Sequence, residues 1–140
     1  MEHVVVGALI QHERLLLGHR SAGRSSYPSV WDLPGGHMEF GEAPLDALVR
    51  ELSEELGVLI SRPAAPPLAR LYPLEHERSF ELAIWVVTEW TGQVTNSAPM
   101  EHDDLRWFGA GEWPAVSLAH PEYRTVLPLA LAAAREASRG

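Results

Sequence analysis

Glu51, Glu54 and Glu55 lie within five residues of one another, and carboxylates at that spacing can share a divalent cation. On a helix turning about 100° per residue they occupy an arc of roughly 100°. Leu45, Leu48, Val49, Leu52 and Leu56 recur at helical spacing and form the buried stripe, so the glutamates sit beside the core and not opposite it. On a fully exposed face, like charges at i, i+4 cost only a few tenths of a kcal/mol, and the cluster would read as a solvated acidic surface. In a partly buried site, two carboxylates about 5 Å apart repel by roughly 3 kcal/mol at an effective dielectric near 20, and a cation reverses that sign. Hard oxygen ligands with no cysteine among them select Mg²⁺, with Mn²⁺ as a substitute.

The elements that must position these groups can be read around them. Pro44 is a first-turn residue and Gly57 a helix stop, which brackets a helix of about three and a half turns. A Gly35-Gly36 pair precedes it, with Glu42 between that pair and the helix. Val4 to Ile10 and Leu15 to His19 read as strands joined by the polar turn Gln11-His12-Glu13-Arg14. Phe80 to Trp90 reads as a long strand, Thr91-Gly92-Gln93 as a turn and Leu105 to Phe108 as a short strand. Val126 to Arg135, rich in Ala and Leu, reads as a helix packing back on the sheet. Strands and helices in this mixture predict an α/β fold, an α/β/α sandwich with a mixed sheet.

Gly36, five residues, Glu42, seven residues and then Arg50-Glu51-Leu52-Ser53-Glu54-Glu55-Leu56-Gly57-Val58 resemble the Nudix box, and Trp31 to His37 resembles the usual approach to it. The resemblance to Nudix hydrolases implies hydrolysis of a nucleoside diphosphate linked to a further group, with a divalent metal. It implies that the Gly35 carbonyl, Glu51, Glu54 and Glu55 hold metal, that a glutamate, Glu51 in the first instance, orients or deprotonates the water, and that Glu42 and Arg50 pin the loop against the helix. MutT-like members often carry a further metal-binding glutamate at the place of Asp104, for which Glu101 or Asp103 could serve instead. Arg20 ends the second strand facing the box, where it either contacts phosphate or is a surface arginine. His37 follows the glycine pair where some triphosphatases of the family have Lys or His, and as imidazolium it would strengthen phosphate binding. His120 falls where triphosphatase relatives often place a base-reading side chain, a solvated loop histidine being the alternative. His76, His102, Trp85 and Trp107 are read as structural.

The chain has 140 residues, which suits a single domain over 1–140 with a real core. Pro63 to Pro67 is too short for an interdomain linker, and no repeat, signal peptide or apolar run of membrane length is present. Without cysteine there are no disulfides, thiol nucleophiles or Cys-based zinc sites, and a cytoplasmic protein with no membrane partner is the expectation. All eleven basic side chains outside histidine are arginines, so a phosphate clamp must use Arg, His or backbone NH groups. A net charge of −8 opposes binding of a nucleic acid polymer and makes a cation necessary for charge as well as chemistry. The resemblance also allows a homodimer.

The resulting expectation is a Mg²⁺-dependent nucleotide pyrophosphohydrolase acting on a (d)NTP to give the monophosphate and pyrophosphate. An ADP-ribose or nucleotide-sugar pyrophosphatase would use the same metal site. In the family a Pro or a Tyr beyond the box hints at ADP-ribose or dinucleoside polyphosphate substrates respectively, and Tyr72-Pro73 offers both, so the hints cancel. A noncatalytic nucleotide-sensing module is the reading from another class, against which the intact glutamates argue.

Overall fold

The structure is a computed structural model and describes residues 1–139. In chain order it contains β1 (His3–Gln11), β2 (Arg14–Arg20), β3 (Trp31–Asp32), β4 (Gly35–His37), α1 (Pro44–Leu56), β5 (Leu59–Ile60) and β6 (Ala69–Leu71). There follow β7 (Leu74–Glu75), β8 (Arg78–Ser79), β9 (Glu81–Val87), β10 (Trp90–Thr91), β11 (His102–Phe108), a 3-10 turn at Trp113–Ala115 and α2 (Tyr123–Arg139).

The main sheet runs β11-β2-β1-β9-β6, with β1 and β9 parallel and the other pairs antiparallel. Its central strands are apolar on both faces because a helix covers each face. Val5 and Leu9 of β1, Leu16 of β2 and Ala83, Trp85 and Val87 of β9 pack with Ala47, Leu48, Leu52 and Leu56 of α1. Val6, Ala8, Ile10, Leu15, Leu17, Leu82 and Ile84 pack on the other face with Tyr123, Val126, Leu127, Ala130 and Leu131 of α2. This is the α/β/α sandwich with a mixed sheet that the sequence predicts.

The hairpin of β1 and β2 positions the site by coming apart. His12 and Glu13 have positive φ at the tip, and only Ile10 with Leu15 and Gln11 with Arg14 pair directly. Beyond them the strands diverge: β4 pairs with Val4 to Val6 of β1, and β3 pairs with Gly18 and His19 of β2. The segment between β3 and β4 spans the gap, with the Gly7 amide donating to the Pro34 carbonyl at 2.9 Å. The mouth of that split is where α1 delivers its glutamates.

Several boundaries differ from the sequence reading. The strand expected over Phe80 to Trp90 ends at Val87, and Trp90–Thr91 pairs instead with β5, close after the end of α1. Thr91 is therefore extended, and the turn starts at Gly92 with φ +97°. β11 begins at His102, three residues ahead of expectation, with a bulge between His102 and Asp104. α2 runs from Tyr123 to Arg139 and accommodates Pro128 in its interior on the exposed face, although the ring removes one helical donor. Among the described residues no helix is long and apolar enough to cross a membrane.

Candidate metal and nucleotide site

Arg50 organises the approach to the site. Its Nε and Nη2 donate to the two Glu42 oxygens at 2.8 and 2.9 Å, Nη2 also to the His37 carbonyl at 3.1 Å, and Nη1 to Glu51 at 3.0 Å and Glu54 at 3.4 Å. The Glu39 amide donates to Glu42 at 2.9 Å. One guanidinium thus ties the loop after β4 to the glutamate face of α1, using a planar fork that lysine lacks. Hydrogen bonds from Arg50 and the Glu39 amide pull the Glu42 carboxyl down to about 2, and Glu42 holds Arg50 above its ordinary value. Arg50→Lys is expected to weaken divalent-cation binding by about 10- to 100-fold, read by metal titration, because it keeps the charge and loses the fork. Unchanged affinity would leave the pair as a helix anchor only.

Behind this clamp the glycine pair meets two glutamates. Gly35 has φ +150°, and a Cβ there would stand 2.0 Å from the Val5 carbonyl, so only glycine fits. Its amide donates to Glu55 Oε2 at 2.8 Å. At Gly36 a Cβ would meet the Glu51 carboxylate at 2.5 Å, so this carboxylate lies directly on the β4 backbone. Burial raises the Glu51 carboxyl above the usual range even with Arg50 beside it. Glu54 is at the rim, its side chain 60% exposed.

Glu55 is only 3% exposed. Burial, contact with the Glu101 carboxyl and the charge of Glu51 push it up to about 9. Glu55, Glu101 and His102 each bring a ligand atom within 4.8 Å of the others. A buried carboxyl held against an exposed one, with a third nearby, fits a divalent cation: bound charge would relieve the repulsion that otherwise keeps a proton there. Glu55, Glu101, Glu51 and Glu54 could hold such an ion.

The loop before β11 is fastened to α1 through backbone atoms. The Thr95 amide donates to the Leu56 carbonyl and the Ser97 amide to the Glu55 carbonyl, both at 2.9 Å. The Ala98 carbonyl then accepts from the Glu101 amide at 2.9 Å and the His102 amide at 3.1 Å. These bonds bring Glu101 to Glu55. Asp104, past the bulge, bonds to Arg106 Nε at 2.8 Å, and Asp103 lies 2.6 Å from His19 Nδ1; neither joins the cluster.

Through His102 the cluster borders a cleft that is partly open to solvent. Gly35, Gly36, His37 and His102 edge it near the glutamates, and Tyr27, Phe80, Leu82 and His120 line it farther in. His120 is buried, with Tyr27, Phe80 and Tyr123 at edge-on angles and centroid distances of 4.8, 6.1 and 5.2 Å. It is a wall of the cleft rather than a solvated loop residue, and burial lowers it, which favours the neutral imidazole. Arg20 borders the cleft but spends its donors on the carbonyls of Ser26 and Tyr27, with Asp32 at 3.6 Å. It holds the Ser21 to Val30 loop in place, including Tyr27 at φ 46°. His37 is exposed, 3.5 Å from Glu2.

Sequence reasoning left out Tyr27, Asp32 and Phe80, and assigned His102 to structure. Asp32 accepts from the Tyr123 hydroxyl at 2.6 Å and the Leu33 amide at 2.8 Å, which ties the start of α2 to the cleft floor. No spacing rule links residues 91 positions apart. For Tyr27 and Phe80 the available signal was an aromatic next to a loop and at a strand start, which is too common to single out.

A family model described as NUDIX domain matches residues 1–130. The chain is similar to the 8-oxo-dGTP diphosphatase of Proteus vulgaris, with 30% identity over 95 residues covering 66% of this chain and 81% of that protein. It is similar to the CTP pyrophosphohydrolase of Escherichia coli (strain K12), with 32% identity over 144 aligned positions covering 95% and 96% of the two chains. The solution structure of the E. coli ORF135 protein superposes with a TM-score of 0.76 and 30% identity, over 98% of this chain and 92% of that one.

Proposed function

Since the chain belongs to the Nudix family and is a hydrolase of acid anhydrides, we propose that it cleaves a nucleoside triphosphate into the monophosphate and pyrophosphate, with Mg²⁺ or Mn²⁺ as the cation. The observation that carries this reading is that an aromatic-lined cleft ends at Gly35, Gly36 and His102, the residues against which Glu55, Glu51 and Glu101 lie. A base enters among Tyr27, Phe80 and His120, and the phosphates extend past Gly35 and Gly36 to Glu51, Glu54, Glu55 and Glu101. Both relatives above carry names that specify nucleoside triphosphates, which supports the same class here.

When bound, the cation neutralises phosphate charge and polarises the attacking water. The chain supplies the rest. Glu51 sits against the Gly36 backbone with its carboxyl raised by burial, which suits it to accept the proton of that water. Arg50 keeps Glu51 and Glu54 oriented from one side, and the Gly35 amide orients Glu55 from the other. Aromatic walls exclude water from the nucleoside end, so binding there positions the phosphates for in-line attack.

The test is a substrate panel with Mg²⁺: ordinary and oxidised nucleoside triphosphates, ADP-ribose and nucleotide sugars, products separated by chromatography, beside Glu54→Gln. Monophosphate plus pyrophosphate from a triphosphate, reduced in the variant, is the expected outcome. AMP plus ribose 5-phosphate from ADP-ribose, with triphosphates untouched, would overturn the substrate class. Binding without turnover of any of them would overturn the activity.

A further inference from the structure

His102 is the first residue of β11 and stands next to Glu101. The residue is 3% exposed, and among the described residues neither ring nitrogen is hydrogen-bonded to another group, while its backbone is held by the Ala98 carbonyl and by Asn96 Nδ2, which donates to the His102 carbonyl at 2.7 Å. The ring nitrogens have no protein partner and are not sealed from the cleft, which leaves them free to meet a ligand or water. The ring reaches the cleft wall, and one nitrogen lies within 4.8 Å of ligand oxygens of Glu55 and Glu101. Room for it is made on the neighbouring strand: a Cβ on Gly18 would stand 2.6 Å from His102 Cδ2. The free ring nitrogens, their approach to the two carboxyl groups and the glycine that seats the ring place His102 at one corner with Glu55 and Glu101.

The chemistry of that corner differs from that of the outer glutamates. Glu51 and Glu54 offer oxygen only, the donor that Mg²⁺ prefers, and Mg²⁺ gains little from imidazole. Two carboxylates and an imidazole form a mixed set that suits ions of the transition series. We propose that His102 is a nitrogen ligand of an inner cation position formed with Glu55 and Glu101, and that this position takes a transition-series divalent ion such as Mn²⁺ or Co²⁺ ahead of Mg²⁺. The inference rests on the reading of this cluster as the cation site and adds a ligand and a selectivity to it.

The experiment uses the whole metal-free protein and Mn²⁺ alone. Binding is followed by the loss of the free-ion electron paramagnetic resonance signal, and directly bound nitrogen by pulsed measurement of its coupling to the bound ion. Wild type should bind Mn²⁺ with an imidazole nitrogen coupling. In His102→Gln the coupling should vanish and Mn²⁺ affinity should fall by about tenfold or more, with Mg²⁺ affinity changed far less. Gly18→Ala, which displaces the ring and leaves the histidine in the chain, should give the same loss of coupling. Mn²⁺ bound to the wild type without nitrogen coupling, or a coupling that survives His102→Gln, would overturn the role of His102 and leave the cation site standing. Failure of the wild type to bind Mn²⁺ at all would overturn both.

Discussion

Glu55→Gln is expected to be more stable than the wild type without metal, and far less active. The Glu55 carboxyl is buried against Glu101, and its carboxyl is raised to about 9. Between the ordinary carboxyl range and about 9 the folded protein keeps a proton that the unfolded chain has released. Stability in that window therefore falls as pH rises, and is highest below the unfolded value. Glutamine has the same shape, still accepts the Gly35 amide and carries no charge, so it removes this pH-dependent penalty of a few kcal/mol. Melting of the metal-free proteins at pH 5, 7 and 9 should show wild type losing stability with pH. The variant should show a flatter profile and a Tm higher by at least about 5 °C at pH 8. Added divalent cation should raise the wild-type Tm and leave the variant unmoved. Activity should fall by about 10²- to 10³-fold, because several kcal/mol of charge stabilisation leave with the cation. A variant less stable than wild type at pH 8 would show that charged Glu55 is already compensated in the metal-free fold.

Glu51→Gln should separate chemistry from assembly. Glutamine fits the space over Gly36 and keeps an oxygen toward Arg50, so Tm and KM should stay close to wild type. Removing the proton acceptor should lower kcat by about 10²- to 10⁴-fold. The kcat of single-turnover reactions in the two proteins measures this directly. An equal loss in KM and metal affinity would make Glu51 a ligand before it is a base, and a larger kcat loss in Glu54→Gln would move the base to Glu54.

What the sequence made legible was local. Pro44 and Gly57 delimit α1 to the residue, the leucine stripe sets the face it buries, and the resemblance to the Nudix box implied the pairing of Glu42 with Arg50, which is bidentate. The strands β3 and β4 were not legible as strands, since Trp31–Asp32 and Gly35–His37 become so only by filling the space where β1 and β2 part. Which of Glu101, Asp103 and Asp104 meets Glu55 was also hidden. It depends on the bulge after His102 and on backbone bonds from Thr95 and Ser97 to the end of α1, and neither is encoded by residue type. Arg20 and His120 were visible as candidates, but their burial, and hence their work as loop clamp and cleft wall, came only from packing.

Those bonds from Thr95 and Ser97 carry a further consequence for how the protein fails under heat. They close a surface loop at few points, and such segments open at lower free energy than the sheet they adjoin. Each local opening swings Glu101 away from Glu55 while α1 stays packed, so activity should decline on warming some degrees below the melting transition. The amides of Thr95 and Ser97 are the place to watch it: their hydrogen exchange should be faster than that of the β1 core and should slow when a cation joins the two glutamates.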